Sequence, residues 1–162
     1  MRHRVYIACV LIAFLNYPMC ANAVVRYVKP TGTGGCTSWA DACSLAVALP
    51  LADANSSDEI WVQTGTYAPF ALKNGVKIIG GFAGTETSVV QSNPANNVTV
   101  VDGGGERRAV YGANQSASTM LRGFTIRNGF DGDDQGGGGL MLSDSSALIV
   151  QCIFENNTAS IM

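Results

Sequence analysis

An internal repeat in the second half of the chain restricts its fold more than any other feature of the sequence. Residues 120–128 align with residues 148–156 at an offset of 28 residues (148 − 120). In each copy, the second apolar position lies three positions after the first, and the third lies two positions after the second. The corresponding pairs are Leu121 and Ile149, Phe124 and Cys152, and Ile126 and Phe154. This spacing fits neither a helix nor one straight strand, and it predicts two short strands that meet at a bend.

Stacked copies of such a unit form coils that share one apolar core. Equivalent residues then lie one above another, so the six apolar residues of the repeat point inward while Arg122 and Arg127 point outward. Asn128 is expected to stack on Asn156 in a ladder of side-chain amides at a turn. Residues 136–142 supply a loop and a further strand of the same coil. The repeat therefore predicts parallel coils rather than an antiparallel sandwich.

The preceding sequence also predicts short strands. Runs of β-branched residues at 60–63, 76–79 and 98–101 are separated by Gly, Asn and Asp, with no helical pattern between them. Residues 24–28 read as a first strand. Apolar residues at helical spacing over 45–52 predict a short helix, with Ser44 at its N-cap and Pro50 close to its end. The predicted fold class is all-β, with coils over residues 58–162 and a short strand-and-helix cap over residues 24–57.

The first 23 residues have the layout of a secretory signal peptide. Arg2 and Arg4 precede an apolar run over residues 5–15, and Ala21-Asn22-Ala23 is a small-x-small cleavage site. The run is too short to span a bilayer comfortably, so no transmembrane segment is expected after cleavage. An uncleaved anchor and lipidation at Cys20 are the alternatives. The protein is expected to be secreted or held at the cell surface or outer membrane.

Removal of this leader changes the available chemistry. It leaves eight basic residues against twelve acidic ones (8 − 12), a formal charge of −4, which argues against nucleic acid as a partner. It also removes His3, the only histidine. Nucleophile systems that depend on histidine and histidine-based zinc sites are therefore excluded within the exported part.

Three cysteines follow the leader. Cys36 and Cys43 stand seven residues apart in a Gly-rich segment, and export permits a disulfide, which we expect between them. Two buried thiols are the alternative. Cys152 occupies an apolar position of the repeat and is expected to be a small core residue.

Three stretches resemble a known group of proteins. Residues 35–43 (GCTSWADAC), 58–67 (DEIWVQTGTY) and 72–87 (LKNGVKIIGGFAGTET) are similar to the beginning of exported bacterial proteins of the pectin-lyase-like superfamily, including the polymorphic outer-membrane type. The resemblance implies a right-handed parallel β-helix, a solenoid. It also implies that residue 162 lies within a longer chain that continues into further coils. Members of this superfamily include polysaccharide lyases, glycoside hydrolases, adhesins and surface proteins.

Four groups of residues are candidates for chemistry. Asp131, Asp133 and Asp134 form an acidic loop that could bind calcium, the one cofactor that the sequence leaves open; a solvated turn is the alternative. Arg122 and Arg127 are the candidate catalytic bases near that loop, or surface residues that aid solubility. Asp102 and Glu106 could form a hydrolase pair or a plain turn. Trp61 could stack on a sugar ring or pack in the cap.

Two classes of function follow. The first is an exported structural, adhesive or carbohydrate-binding module whose partners are polysaccharides or cell-surface glycans. The second is the N-terminal part of a polysaccharide lyase or glycoside hydrolase acting on acidic polysaccharide. The missing histidine and the position of the acidic groups in Gly-rich turns favour the first class.

Overall fold

The computed structural model describes residues 23–53, 57–132 and 136–160. These residues form short strands and one short helix. In chain order they are β1 (Val25–Val28), α1 (Leu45–Leu51), β2 (Glu59–Gln63), β3 (Gly65–Tyr67), β4 (Phe70–Ala71), β5 (Lys77–Phe82), β6 (Thr99–Asp102), β7 (Val110–Ala113), β8 (Met120–Arg122), β9 (Phe124–Arg127), β10 (Phe130–Asp131), β11 (Leu140–Ser143), β12 (Leu148–Val150), β13 (Ile153–Glu155) and β14 (Thr158–Ala159).

The strands form parallel sheets, as expected for the fold class. Sheet A has the order β1-β2-β5-β8-β12, sheet B β13-β9-β6-β3 and sheet C β11-β7-β4, and β10 pairs with β14 in a small fourth sheet. The chain runs from sheet A to B to C and back to A, and we call each such run a pass. The second pass, for example, is β5, β6 and β7. Within the described residues after α1, a 3₁₀ turn at Val89–Gln91, between β5 and β6 of the second pass, is the only helical structure.

The predicted 28-residue register is confirmed. Ile149 pairs with Leu121 between β12 and β8, and Phe154 pairs with Ile126 between β13 and β9. The same columns extend to earlier passes, where Ile78 pairs with Leu121 and Val101 with Ile126. Apolar residues of successive passes therefore lie side by side, and together they make the main core.

Burial of the repeat differs between its two copies. Leu121, Phe124 and Ile126 are fully buried, and Ile149 and Cys152 are partly buried against the core. Phe154, however, is 48% exposed. Its strand, β13, is an edge strand of sheet B, so only one side of the ring has a neighbouring pass.

The amides at the turns make different contacts from the predicted ladder. Asn128 and Asn156 share a left-handed backbone conformation, with φ of 50° and 54°. The Nδ2 of Asn128, however, donates to Asp102 Oδ1 at 3.0 Å, in the preceding pass. The neighbouring Asn157 links the last two passes, because its Oδ1 accepts a hydrogen bond from the Gly129 amide and its Nδ2 donates to the Ile126 carbonyl.

The cap contains the predicted helix and disulfide. Helix α1 begins after Ser44 and includes Pro50 one residue before its end, although the Ser44 side chain makes no capping hydrogen bond. Cys36 is bonded to Cys43, which confirms the predicted disulfide. Backbone hydrogen bonds join Cys43 to Tyr27 and Lys29, so the closed loop is fastened to β1 at the edge of sheet A.

The predicted leader lies outside the described residues. In the part of the chain that the structure covers, no helix has the length and apolar character needed to cross a membrane.

Candidate functional site

The acidic loop is organised around an arginine. Asp131 is buried, and its Oδ1 accepts a hydrogen bond from Arg108 Nη2 at 2.8 Å. The Gly136 amide donates to the other oxygen of the same carboxylate. Arg108 also donates to the carbonyls of Gly136 and Gly137, each at 3.1 Å. The described residues on the two sides of this loop, Asp131 and Gly136, therefore both bind the Arg108 guanidinium, which supplies the positive charge beside Asp131.

These contacts involve Asp131, one of the three carboxylates of the predicted calcium site. Both carboxylate oxygens of Asp131 already accept hydrogen bonds, and Asp133 and Asp134 lie outside the described residues. Among the residues that are described, no group of three or more His, Cys, Asp or Glu side chains is placed to hold a metal ion.

Arg108 is the arginine that binds Asp131, and sequence reasoning missed it. The sequence instead favours Arg122 and Arg127 because they are close to the loop along the chain. Arg108 precedes β7, and β7 pairs with β11 just after the loop. The pairing of these two strands brings the arginine to the carboxylate across 23 residues, and no apolar repeat signals that pairing.

Arg127 is held by a carboxylate in the neighbouring strand. Its Nε donates to Asp102 Oδ2 at 2.9 Å, while the Gly104 amide and Asn128 both donate to Asp102 Oδ1. The Gly104 amide, the Asn128 amide and the Arg127 guanidinium, in that order, lower the pKa of Asp102. Glu106 is exposed on the turn that follows. Asp102 and Arg127 thus join two passes as an ion pair.

Trp61 lies in β2 of sheet A and is buried, with only 4% of its surface exposed. Its ring stacks on Phe82 with centroids 4.8 Å apart, and Tyr27 meets it edge-on at 5.7 Å. Its Nε1 donates to Glu59 Oε2 at 2.9 Å. The buried ring is therefore inaccessible to a sugar. Trp61 packs against Tyr27 of the cap, in a cluster separate from the main core that contains helix α1.

Arg122 differs from these residues because it lies in an open groove. Its Nε donates to Gln151 Oε1 at 2.9 Å, and no described carboxylate lies within ion-pairing distance of it. The groove has a volume of about 490 Å³. Three stretches line it: residues 90–95, which we call the first wall, residues 122–125 around the bend between β8 and β9, and Gln151 and Ile153 in the next pass.

The first wall is a segment that leaves the sheets between β5 and β6. Gln91 closes its 3₁₀ turn by accepting hydrogen bonds from the Thr87 and Ser88 amides at 2.8 and 2.9 Å. Pro94 then packs where two glycines leave room for it. A Cβ at Gly81 or at Gly123 would lie 2.7 Å from an atom of Pro94. Both glycines have positive φ, so the bend in the chain and the close contact both depend on them.

No protein-family model, curated protein or solved structure matches this chain. The groove is therefore interpreted from its own chemistry. A guanidinium, side-chain amides and hydroxyl groups can bind a polar or negatively charged ligand. Of the site residues predicted from sequence, Arg122 is the one that lines the groove.

Cys152 lies between the groove residues Gln151 and Ile153 and packs partly buried against the main core. Burial raises the pKa of its thiol, and its Sγ is 3.5 Å from the Val150 carbonyl oxygen. Because the reactive form of cysteine is the thiolate, this thiol is suited to packing rather than to catalysis.

Proposed function

We propose that this chain is the beginning of an exported right-handed parallel β-helix that serves as a structural and adhesive module at the cell surface. The observation that carries the proposal is the recurrence of parallel sheets A, B and C in a fixed order, with apolar columns in register. Such a stack exposes long lateral surfaces on a rigid frame. The predicted leader and the disulfide both fit an exported protein.

The described ionic groups support a structural role rather than catalysis. Arg108 with Asp131 and Arg127 with Asp102 are ion pairs at 2.8 and 2.9 Å. Each pair joins parts of the chain more than twenty residues apart, and each balances its own charge. A general acid or base needs a proton-transfer site that a substrate can reach. These four side chains are engaged with one another instead.

The proposal includes further coils beyond β12, β13 and β14. Phe154 is 48% exposed, whereas Ile126, at the equivalent position one pass earlier, is fully buried. A further pass would cover Phe154 as β13 covers Ile126. Edge strands with exposed apolar side chains otherwise promote aggregation.

Binding or cleavage of an acidic polysaccharide is the second candidate function, and Arg122 favours it. A guanidinium without a carboxylate partner can bind a uronate carboxylate through paired hydrogen bonds. Incubation with pectate or alginate plus calcium, with detection of unsaturated products by absorbance, tests for a lyase. Activity that disappears in Arg122→Ala and remains in Arg127→Ala would replace the adhesive proposal.

Surface exposure is the direct test of the adhesive proposal. Intact cells that express the full open reading frame are treated with protease and with an impermeant antibody against the chain. We expect labelling and cleavage on intact cells, and beads coated with the purified chain should adhere to a biological surface. A protein found inside the cell with its leader attached and its Cys36 and Cys43 thiols reduced would contradict the proposal.

A further inference from the structure

The Arg122 groove has exposed aliphatic side chains. Two of its lining residues, Val90 and Ile153, are 82% and 60% exposed. Ile153 lies in the edge strand β13, but its partner one pass earlier, Thr125, is partly exposed even with β13 beside it, so this position remains accessible when a further pass is present. Phe124, the one aromatic residue among the described residues of the groove, is only 1% exposed. Sugar rings are commonly bound against an exposed aromatic face, which this groove does not offer. Branched aliphatic side chains are instead suited to contact other aliphatic side chains.

The electrostatics of the groove favour a ligand with a negative charge. Within the described part of the chain, none of the residues that line the groove is acidic. Three other described arginines are balanced, since Arg26, Arg108 and Arg127 lie 3.7, 2.8 and 2.9 Å from carboxylates. Arg122 has a glutamine as its described partner, so its charge is available to a ligand. A carboxylate is the group that a guanidinium binds with the best geometry.

We infer that this groove binds an extended polypeptide segment in which aliphatic side chains flank a carboxylate. The carboxylate meets Arg122, while the aliphatic side chains two residues before and after it, which lie on the same face of an extended segment, contact Val90 and Ile153. The groove volume lies within the range of ordinary ligand sites, about 300–1,000 Å³. Because Pro94 and Gln91 fix the first wall, little ordering of the protein is needed on binding. The inference rests on the proposed adhesive function, for which it names the class of partner.

A titration followed by the amide spectrum of the isotope-labelled chain tests the inference. The probe is an acetylated and amidated pentapeptide with a central glutamate, a glycine on each side and a valine at each end, so that the three side chains share one face of the extended peptide. Saturable shifts are expected at the amides of Thr125, Gln151 and Ile153. Replacing the glutamate of the probe by glutamine should weaken binding about tenfold or more, because a charge-assisted contact is lost.

Two arginine variants give a matched comparison. Arg122→Gln should weaken binding of the glutamate peptide about tenfold and abolish its preference over the glutamine peptide. Arg127→Gln should bind like the original chain, since that arginine faces Asp102 outside the groove. Ile153→Asn, at an exposed position, should weaken both peptides equally. The dispersion of the amide spectrum verifies that each variant is folded.

Several outcomes would overturn the inference. They are the absence of saturable shifts, equal affinity for the two peptides, or an oligogalacturonate that shifts the same amides at lower concentration than the peptide does. A surface-exposed, adhesive protein that fails the peptide titration would retain the proposed function and lose this inference. Peptide binding by a protein that never reaches the surface would retain the inference about the groove and contradict the proposed surface function.

Discussion

The ion pairs of this protein differ in burial, and their contributions to stability should differ accordingly. Asp131 is fully buried beneath Arg108, whereas Asp102 and Arg127 are partly exposed. Arg108→Ala leaves a buried carboxylate without its counter-charge and should cost about 3–5 kcal/mol of unfolding free energy. Arg127→Ala, the control, should cost less than about 1 kcal/mol. Chemical denaturation measures both, and equal losses would contradict the role assigned to Arg108.

Asp102 should also make stability depend on pH. The Gly104 amide, Asn128 and Arg127 lower its pKa in the folded state, while an unfolded aspartate titrates near about 3.9. The stabilisation is therefore complete above that pH and is lost as the pH falls toward the folded-state pKa. In acid titrations followed by denaturation, Asp102→Asn should be less stable than the original chain at neutral pH, and the difference should shrink in acid. A difference that stays constant with pH would refute this.

Among the elements, the segment that carries the groove wall depends on two glycines. Gly123→Ala places a Cβ at 2.7 Å from Pro94 and at a φ of 76°. Gly105→Ala has a φ of 73° and open space around it, so it serves as the control for backbone strain alone. The control should cost about 1–2 kcal/mol. Gly123→Ala should cost about 1–3 kcal/mol more and accelerate amide exchange over residues 88–97. Equal costs would mean that the Pro94 contact is unimportant.

The elements differ in how well the sequence predicts them. Pairing of β8 with β12 and of β9 with β13 follows from apolar residues that repeat every 28 positions, because burial demands the same register in each pass. Helix α1 and the disulfide follow from local spacing. The segment between β5 and β6 has no such period, and its fold depends on the contacts of Pro94 with Gly81 in β5 and with Gly123 at the bend between β8 and β9. The Arg122 groove could therefore not be predicted, although Arg122 itself was selected.

At the scale of the whole molecule, the two ends of the stack are built differently. At one end, β1, helix α1 and the disulfide loop cover the first pass, so Val28 and Ala48 are buried there. At the other end, β12 and β13 are edge strands. Stability should therefore increase with each further pass, because every pass buries the apolar residues of the pass before it.

Ile126 and Phe154 are equivalent residues in successive passes. Substitutions at these two positions test whether further coils cover the end of the stack at β12 and β13. In this chain, Ile126→Ala should cost about 2–5 kcal/mol because the side chain is buried. Phe154→Ala should cost only about 1 kcal/mol or less, since half of the ring is already exposed. If additional coils follow, the same Phe154→Ala change in the longer protein should cost about 3–5 kcal/mol, as for a buried phenylalanine. Denaturation of both lengths, with Val90→Ala as an exposed control, measures the change. A cost at Phe154 that is equal in the two lengths would mean that no further pass stacks on β13.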